Sequence, residues 1–377
     1  MFKTTNKKTK IILFNFAAIQ KSQLAGVAVY SREMLTEIVN NEKNRQFLII
    51  LNREVRSYFS IDQFPNLKVL YLGSLFKKQT FRIFFELFLL PFIVLFKQID
   101  LIFTPYVSTP IFANCEKVTV IHDIAPLVMK KYSYVRHIYI QFMMYLSMRF
   151  ANKIVTVSET SKNDLIKHYP TYKNKVTYIH NGVSKCTKII DVSEFKKKYN
   201  FKFILFVGSI QPSKNLIRLI EAYGLMEQDV DEKMIIVGGK GWLVLDELSS
   251  LISKYRLDEK VIFKGYVDSQ ELAYLYSNTT FLVFPSLYEG FGFPPLEAMS
   301  YGSAVLASNQ ASIPEVCGDA ALYVDPYSVA DISTKMMQLC TDTALREELI
   351  ELGQSRVKNF NWSKSSKQLL NIFDEKL

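Results

Sequence analysis

Short runs of β-branched and aromatic residues recur along the first half of the chain, at 11–16, 47–51, 68–72, 100–104, 117–121, 153–157 and 176–179. Helix-like stretches such as 30–39 and 161–168 separate many of them. The runs are apolar without strict alternation, which marks strands covered on both faces, as in a parallel sheet. The pattern then restarts at 203–207, 234–237, 261–263, 281–284, 304–307 and 322–324. Two consecutive β/α series predict an α/β protein of two doubly wound domains. The seam falls near Asn181-Gly182, a turn dipeptide, ahead of the polar stretch 184–194.

Length agrees, since 377 residues suit two domains of roughly 150–200 residues better than one. Hydrophobic residues make up 49%, far above the disordered regime. The net charge of +10 suits nucleic acid, an anionic membrane face or phosphate-bearing substrates. No arginine-rich block, zinc-finger spacing or aromatic RNA-binding motif accompanies it, so no nucleic-acid partner is expected. Cys115, Cys186, Cys317 and Cys340 form no CxxC pair, and with four histidines no metal cage is legible. A reduced, cytoplasmic protein is expected.

MFKTTNKKTK followed by IILFNFAAI has the charge and hydropathy of a signal peptide, but Asn15 interrupts the apolar run and no small-x-small cleavage site follows. A buried first strand is expected instead. The longest strongly apolar run, 86–97, is divided by Pro91 and falls short of the roughly 20 residues that span a bilayer. No membrane crossing is expected.

Ligands of doubly wound domains sit at the carboxyl ends of the strands. That rule selects AAIQKSQLAGVAVYSREM after the first run, His122-Asp123 after 117–121, Gly208 to Asn215 after 203–207 and Gly238-Gly239-Lys240-Gly241 after 234–237. It also selects PSLYEGFGFPPLEAMSYG, residues 285–302. All are expected to face one cleft between the domains. Lys214, near a helix start, could hold a diphosphate together with backbone N–H groups. The turn lacks Gly-Lys-Ser/Thr and G-x-G-x-x-G, so it is neither a Walker loop nor a dinucleotide fingerprint. Glu289 precedes Gly290-Phe291-Gly292, and Glu297 is expected in the first turn of a helix over 295–300. A carboxylate at such a place can accept two hydrogen bonds from a sugar diol. Asp229-Val230-Asp231 has the D-x-D form of metal-dependent sugar transferases but is not at a strand end, and reads as surface.

As a set these residues resemble a known family. EGFGFPPLEAMSYGSAVLASNQASIPEVCGDAALYVDP is similar to the donor-site signature of the retaining glycosyltransferases of family four, which have the GT-B fold of two Rossmann-like domains facing a central cleft. VGSIQPSKNLIRLIEAY, IIVGGKGWL, VTVIHDIAPL, VTVSETSKNDL and IHNGV resemble other landmarks of that family, in order, and FNWSKSSKQLLNIF resembles its last helix. The resemblance implies an acceptor domain over 1–182, a donor domain over 183–360 and a helix over 361–377 that crosses back to the first.

It also implies transfer of a sugar from a GDP-, dTDP- or UDP-linked donor to an acceptor hydroxyl with retained configuration, without metal or other cofactor. GGKGWL and SIPEV look most like members using GDP-mannose or related deoxysugars. By position, Glu297 is expected on the ribose, Glu289 on the sugar, and Gly290, Phe291, Gly292 and Phe293 on sugar and diphosphate. Lys214, with Gly208, Ser209 and Asn215, is expected on the diphosphate, Gly265, Tyr266 and Val267 on the base, and Gly239 among the donor-binding residues. His122 matches the family's active-site histidine. Gly26, Val27, Ala28 and Tyr30 match a loop that closes over phosphate and acceptor. The acceptor would be a glycan or a lipid-linked glycan of a surface polysaccharide. Residues 76–97 and 130–150 combine basic residues with long aromatic-aliphatic faces, and with the net charge of +10 the enzyme is expected to bind the anionic inner face of the cell membrane from the cytoplasm. Ser209 and Ser213 stand where many members have an arginine, and Ala25-Gly26-Val27-Ala28 stands for Gly-Gly-x-Gly. The rival reading is a non-catalytic sugar-nucleotide-binding scaffold of the same fold.

Overall fold

The computed structural model describes residues 10–21, 26–43, 45–128, 134–184, 192–239 and 245–377. The chain divides into two units, Met1–Gly182 with Trp362–Leu377, and Val183–Asn361.

In the first unit seven strands form one parallel sheet: β1 (Ile11–Phe16), β2 (Gln46–Asn52), β3 (Leu67–Leu72), β4 (Leu101–Thr104), β5 (Glu116–Ile121), β6 (Lys153–Thr156) and β7 (Val176–Tyr178). Their order is β3-β2-β1-β4-β5-β6-β7. β1 takes an interior place because both of its faces are apolar, and Ile12, Leu13 and Phe14 are wholly buried. Ile12 pairs with Phe47 on one side and Leu101 on the other. Alternation along the strand sends Leu13 toward Phe85, Leu90 and Val94, and Phe14 toward Phe47 and Phe103. The Phe103 ring meets Phe373 of the helix Trp362–Lys376 at 5.5 Å. Each such buried side chain contributes about 1.5–3 kcal/mol.

Between β3 and β4 the structure corrects the reading of Pro91. It does not divide the apolar run: α-turns Gln79–Phe84, a π-turn Phe85–Leu89 and α-turns Leu90–Lys97 join into one helix. The wider π-turn accommodates the hydrogen bond that proline cannot make. At 19 residues the helix is long and apolar enough to cross a membrane by length and composition. One side of it is nonetheless fixed to the sheet through a buried acid. Glu86 accepts hydrogen bonds from Asn15 Nδ2 (3.1 Å), Tyr106 Oη (2.7 Å) and Ser108 Oγ (2.6 Å). The asparagine that interrupts the first apolar run is thus a buried strand residue paired with this acid.

The second unit holds a six-stranded parallel sheet of β8 (Phe203–Val207), β9 (Lys233–Val237), β10 (Val261–Gly265), β11 (Leu282–Phe284), β12 (Val305–Ser308) and β13 (Leu322–Val324). The order is β10-β9-β8-β11-β12-β13. The amphipathic helix Leu216–Met226 buries Leu219, Ile220 and Tyr223 against it. Helix starts are fixed by side-chain caps, Asp268 on the N–H groups of Gln270 and Glu271 and Asp342 on that of Leu345. In both units the strand order reverses beside the first strand of the series, at β1/β4 and at β8/β11. Doubly wound folds bind their ligands outside such reversals.

Candidate functional site

Three strand ends of the second unit interlock through glycine. The Gly208 N–H donates to the Val237 carbonyl (2.9 Å), the Ile210 N–H to that of Gly239 (3.1 Å), and the Gly238 N–H to that of Gly265 (2.8 Å). Gly238 has φ +142°, and a Cβ there would lie 2.1 Å from the Gly208 oxygen. A Cβ on Gly239 would lie 2.5 Å from the Tyr266 ring. Side chains would force these loops apart, so the carboxyl ends of β8, β9 and β10 form a floor of bare backbone. Ser209 and Val267 border it, and Tyr266 stands 78% exposed beside it. Lys240 and Gly241 lie outside the described residues. So do Ala25 and Cys186.

Lys214 ends the short turn Pro212–Lys214 after β8. Its own N–H and that of Asn215 are bound to Gln211 and Pro212 carbonyls, so this turn offers fewer donors to a ligand than its sequence implies. Asn215 also departs from expectation. Its backbone is left-handed (φ 62°), its Nδ2 donates to the carbonyls of Pro285 (3.1 Å) and Pro326 (2.6 Å), and its Oδ1 accepts from Arg218 Nη1 (3.0 Å). The side chain is committed to the protein, and it ties the Lys214 turn to the loop after β11. That tie brings Lys214 Nζ to 2.5 Å from Glu289 Oε1.

Gly290 to Phe293 continue from Glu289 into the helix Phe293–Ser300. Gly292 caps this helix at φ +106°, with Ile313 2.6 Å from where a Cβ would stand. Ser312 Oγ donates toward the carbonyls of Glu289 (2.9 Å) and Phe291 (3.0 Å), pinning the glycine loop. Glu297 is not in the first turn, since the helix begins at Phe293 and places it one turn further on. One carboxylate oxygen, Oε2, accepts from Tyr276 Oη at 2.7 Å; no described residue bonds Oε1. Burial raises the Glu297 pKa above the ordinary value, with the Tyr276 hydrogen bond opposing. Tyr276 is itself buried and stacked on Tyr301 at 5.6 Å.

In the first unit, His122 follows β5 and donates from Nε2 to the Pro105 carbonyl (2.9 Å). Burial lowers its pKa, outweighing the Pro105 carbonyl and Asp123. The neutral ring therefore presents Nδ1 as an acceptor. Its partner in packing is Tyr30, edge-on at 4.9 Å. Here the loop expectation needs correction: Gly26, Val27, Ala28 and Tyr30 belong to the helix Gly26–Asn41, and Tyr30 is 1% exposed, inside the core rather than over a ligand.

Sequence reading missed Tyr276 and Ser312. Both are polar residues in ordinary helical surroundings whose partners are far along the chain, so only the fold reveals them. Asp229 and Asp231 are exposed and precede β9, at the end of the strand away from the glycine floor.

Two family models together cover most of the chain, Glycosyltransferase Family 4 over residues 26–185 and Glycosyl transferases group 1 over 188–356. The O-antigen chain mannosyltransferase B of Escherichia coli is 33% identical over 271 residues, 68% of this chain and 69% of that protein. The serotype-specific mannosyltransferase WbdA of Escherichia coli is 32% identical over 261 residues, 66% of this chain; the chain spans only 32% of that longer protein. Among solved structures, Anabaena HepE in complex with UDP-glucose superposes with a TM-score of 0.74 at 18% identity, over 97% of this chain and 99% of that one. The two parallel-sheet units are those of the GT-B fold, and the chain belongs to the group 1, family 4 glycosyltransferases.

Proposed function

We propose that this chain is a retaining, metal-independent transferase that moves mannose or a related deoxysugar from a nucleoside diphosphate to an acceptor hydroxyl. The acceptor is a glycan, carried on a lipid, of a surface polysaccharide, and the enzyme works from the cytoplasm at the inner face of the membrane. The observation that carries the reading is the pairing of Lys214 with Glu289 over the glycine floor, at the β8/β11 reversal. The mannosyltransferase relatives support the sugar, and the UDP-glucose complex of HepE supports a nucleotide-linked donor.

In this reading Tyr266 offers its exposed ring to the base beside Gly265 and Val267. Glu297 holds the ribose diol, and Gly208, Ser209, Gly239 and Lys214 meet the diphosphate. Glu289 and the backbone of residues 290–293 meet the sugar. Breaking the bond between the sugar and the diphosphate builds negative charge on the leaving group. A preorganised cation stabilises that charge most in the transition state. The acceptor hydroxyl oxygen then bonds to the same sugar carbon from the face the diphosphate leaves, its proton passing to an oxygen of the departing diphosphate, and no protein nucleophile is assigned. His122, neutral at physiological pH, accepts a hydrogen bond through Nδ1.

The test is turnover of GDP-mannose, dTDP-sugars and UDP-glucose with a lipid-linked glycan, with the anomeric configuration of the product read by NMR. Retention, and activity that survives EDTA, are expected. An inverted product, or activity lost to EDTA and restored by magnesium or manganese, overturns the reading. Co-sedimentation with liposomes should need anionic lipid and weaken in salt; equal binding to neutral vesicles rejects the electrostatic part.

A further inference from the structure

In the first unit, the loop of residues 105–109 stands between a buried acid and His122. Pro105 follows β4 directly, and its carbonyl accepts from His122 Nε2 at 2.9 Å. That carbonyl decides which ring nitrogen carries the proton, and so whether Nδ1 can accept a hydrogen bond. Whatever holds the carbonyl in place also sets the histidine.

Its direction has little freedom. The proline ring fixes φ of residue 105. The Pro105 carbonyl shares one planar peptide unit with the Tyr106 N–H, so it cannot turn unless Tyr106 turns. Tyr106 is held twice: its carbonyl accepts from the Ser108 N–H at 2.7 Å, and its Oη donates to Glu86 Oε1 at 2.7 Å. Ser108 Oγ donates to the other oxygen of Glu86 at 2.6 Å, and Thr109 Oγ1 meets Thr119 Oγ1 of β5 at 2.9 Å. The loop is clamped by Glu86 on one side and by the strand leading to His122 on the other.

The acid is out of place as a packing residue. Glu86 is the one charged residue between Arg82 and Lys97, it lies in the π-turn Phe85–Leu89, and it is 2% exposed. Burying a carboxylate costs stability unless hydrogen bonds replace its water. Two of its three donors belong to the loop, and the third, Asn15 Nδ2, belongs to β1. Phenylalanine or leucine, its neighbours in the run, would cover the sheet at lower cost and would hold neither Tyr106 nor Ser108.

We propose that Glu86 is a positioning residue for His122: through Tyr106 and the Pro105 peptide it keeps the Nε2 proton on the Pro105 carbonyl and Nδ1 available as an acceptor. The part His122 plays in turnover rests on the proposed function; its positioning does not.

The test is nitrogen NMR of the full chain with labelled histidine, which reads the tautomer directly. The chain has four histidines, and the His122 signal is the one missing from His122→Gln. The unaltered protein should carry the His122 proton on Nε2. Glu86→Leu and Tyr106→Phe should each shift a measurable fraction of it to Nδ1. Glu86→Gln, whose amide can still bind both hydroxyls, should restore the original pattern. In steady-state kinetics Glu86→Leu should lower kcat about tenfold and Tyr106→Phe somewhat less, with the donor KM unchanged in both. The double variant should fall no further than Glu86→Leu alone, since both act through one chain of contacts. If Glu86→Leu does not fold, Tyr106→Phe carries the test, because it removes one hydroxyl and leaves the acid bonded to Asn15 and Ser108. An unchanged His122 tautomer in these variants, or losses of kcat that add in the double variant, overturns the inference. A shifted tautomer with kcat unchanged upholds the positioning and overturns the part given to His122 in the proposed function.

Discussion

Lys214 Nζ and Glu289 Oε1 lie 2.5 Å apart, the one delivered by the turn after β8 and the other by the loop after β11. Both side chains are mostly buried, and Lys214 also sits 5.3 Å above the Phe284 ring. A diphosphate must compete with Glu289 for this lysine. Glu289→Gln should therefore tighten binding of a nucleoside diphosphate, by about threefold to tenfold for a pair of this exposure, while lowering turnover. Lys214→Ala should weaken binding and lower turnover together. Calorimetry with steady-state kinetics reads both, and weaker nucleotide binding by Glu289→Gln contradicts the competition.

Glu297 presents the opposite case, an acid with one oxygen fixed by Tyr276 and the other bonded by none of the described residues. A ribose grip is the same in the ground and transition states, so it affects binding and not the chemical step. Glu297→Gln should raise the donor KM about tenfold or more, the range for a charge-assisted hydrogen bond, with kcat nearly unchanged. Tyr276→Phe should raise KM in the same sense but less, because it frees the carboxylate without removing it. A fall in kcat at constant KM in either variant refutes the assignment.

The same carboxylate has a stability consequence. Burial raises its folded-state pKa, so the folded chain holds the proton more tightly than the unfolded one. Stability then falls as pH rises from the ordinary glutamate value through the raised one, and the penalty persists above it. Glu297→Gln should raise Tm at neutral pH, with the gain shrinking as the pH is lowered toward the ordinary value. A Tm gain independent of pH would point to packing instead of ionisation.

The strands were legible because both faces of the interior ones are apolar, a signal that local composition carries without knowledge of partners. All thirteen runs form strands, with slightly shifted ends. Strand-end glycines were legible for a similar reason, since Gly238 and Gly292 fill backbone positions that other residues strain to adopt. What escaped depends on distance along the chain. Asn215 looked like a ligand contact until its amide was seen bonded to Pro285 and Pro326. Pro91 looked like a helix breaker because periodicity contains no signal for a π-turn. The family resemblance placed Tyr30 in a loop although it opens the helix-like stretch 30–39, and the fold packs it on His122 and Trp362.

Asn215 supplies a test of that correction. Its amide makes two buried hydrogen bonds, and its left-handed backbone disfavours a Cβ without a compensating polar group. Asn215→Ala should destabilise the protein by about 2–4 kcal/mol, from the lost hydrogen bonds and the backbone strain. Asn215→Gly removes the strain and should recover about 1 kcal/mol of the loss. Denaturant unfolding of the two variants measures this. If Asn215→Ala weakens donor binding at full stability, the residue contacts the ligand after all.

Burial moves the titration of His122 further to the acid side of neutrality. Its folded-state pKa lies below the ordinary histidine value because burial outweighs the Pro105 carbonyl and Asp123. The folded protein therefore takes up its proton later than the unfolded chain as the solution is acidified. Stability should be full above the ordinary value and should be lost as pH falls from there to the depressed folded value. Protonation also removes the Nδ1 acceptor, so kcat should decline on an acid limb lying below the ordinary histidine range. His122→Gln cannot titrate. It should abolish that limb and flatten the stability profile between the two values, and its activity should be low at every pH. Measuring kcat and Tm across the acid range for both proteins separates the roles. An acid limb that persists unchanged in His122→Gln assigns the titration to another group.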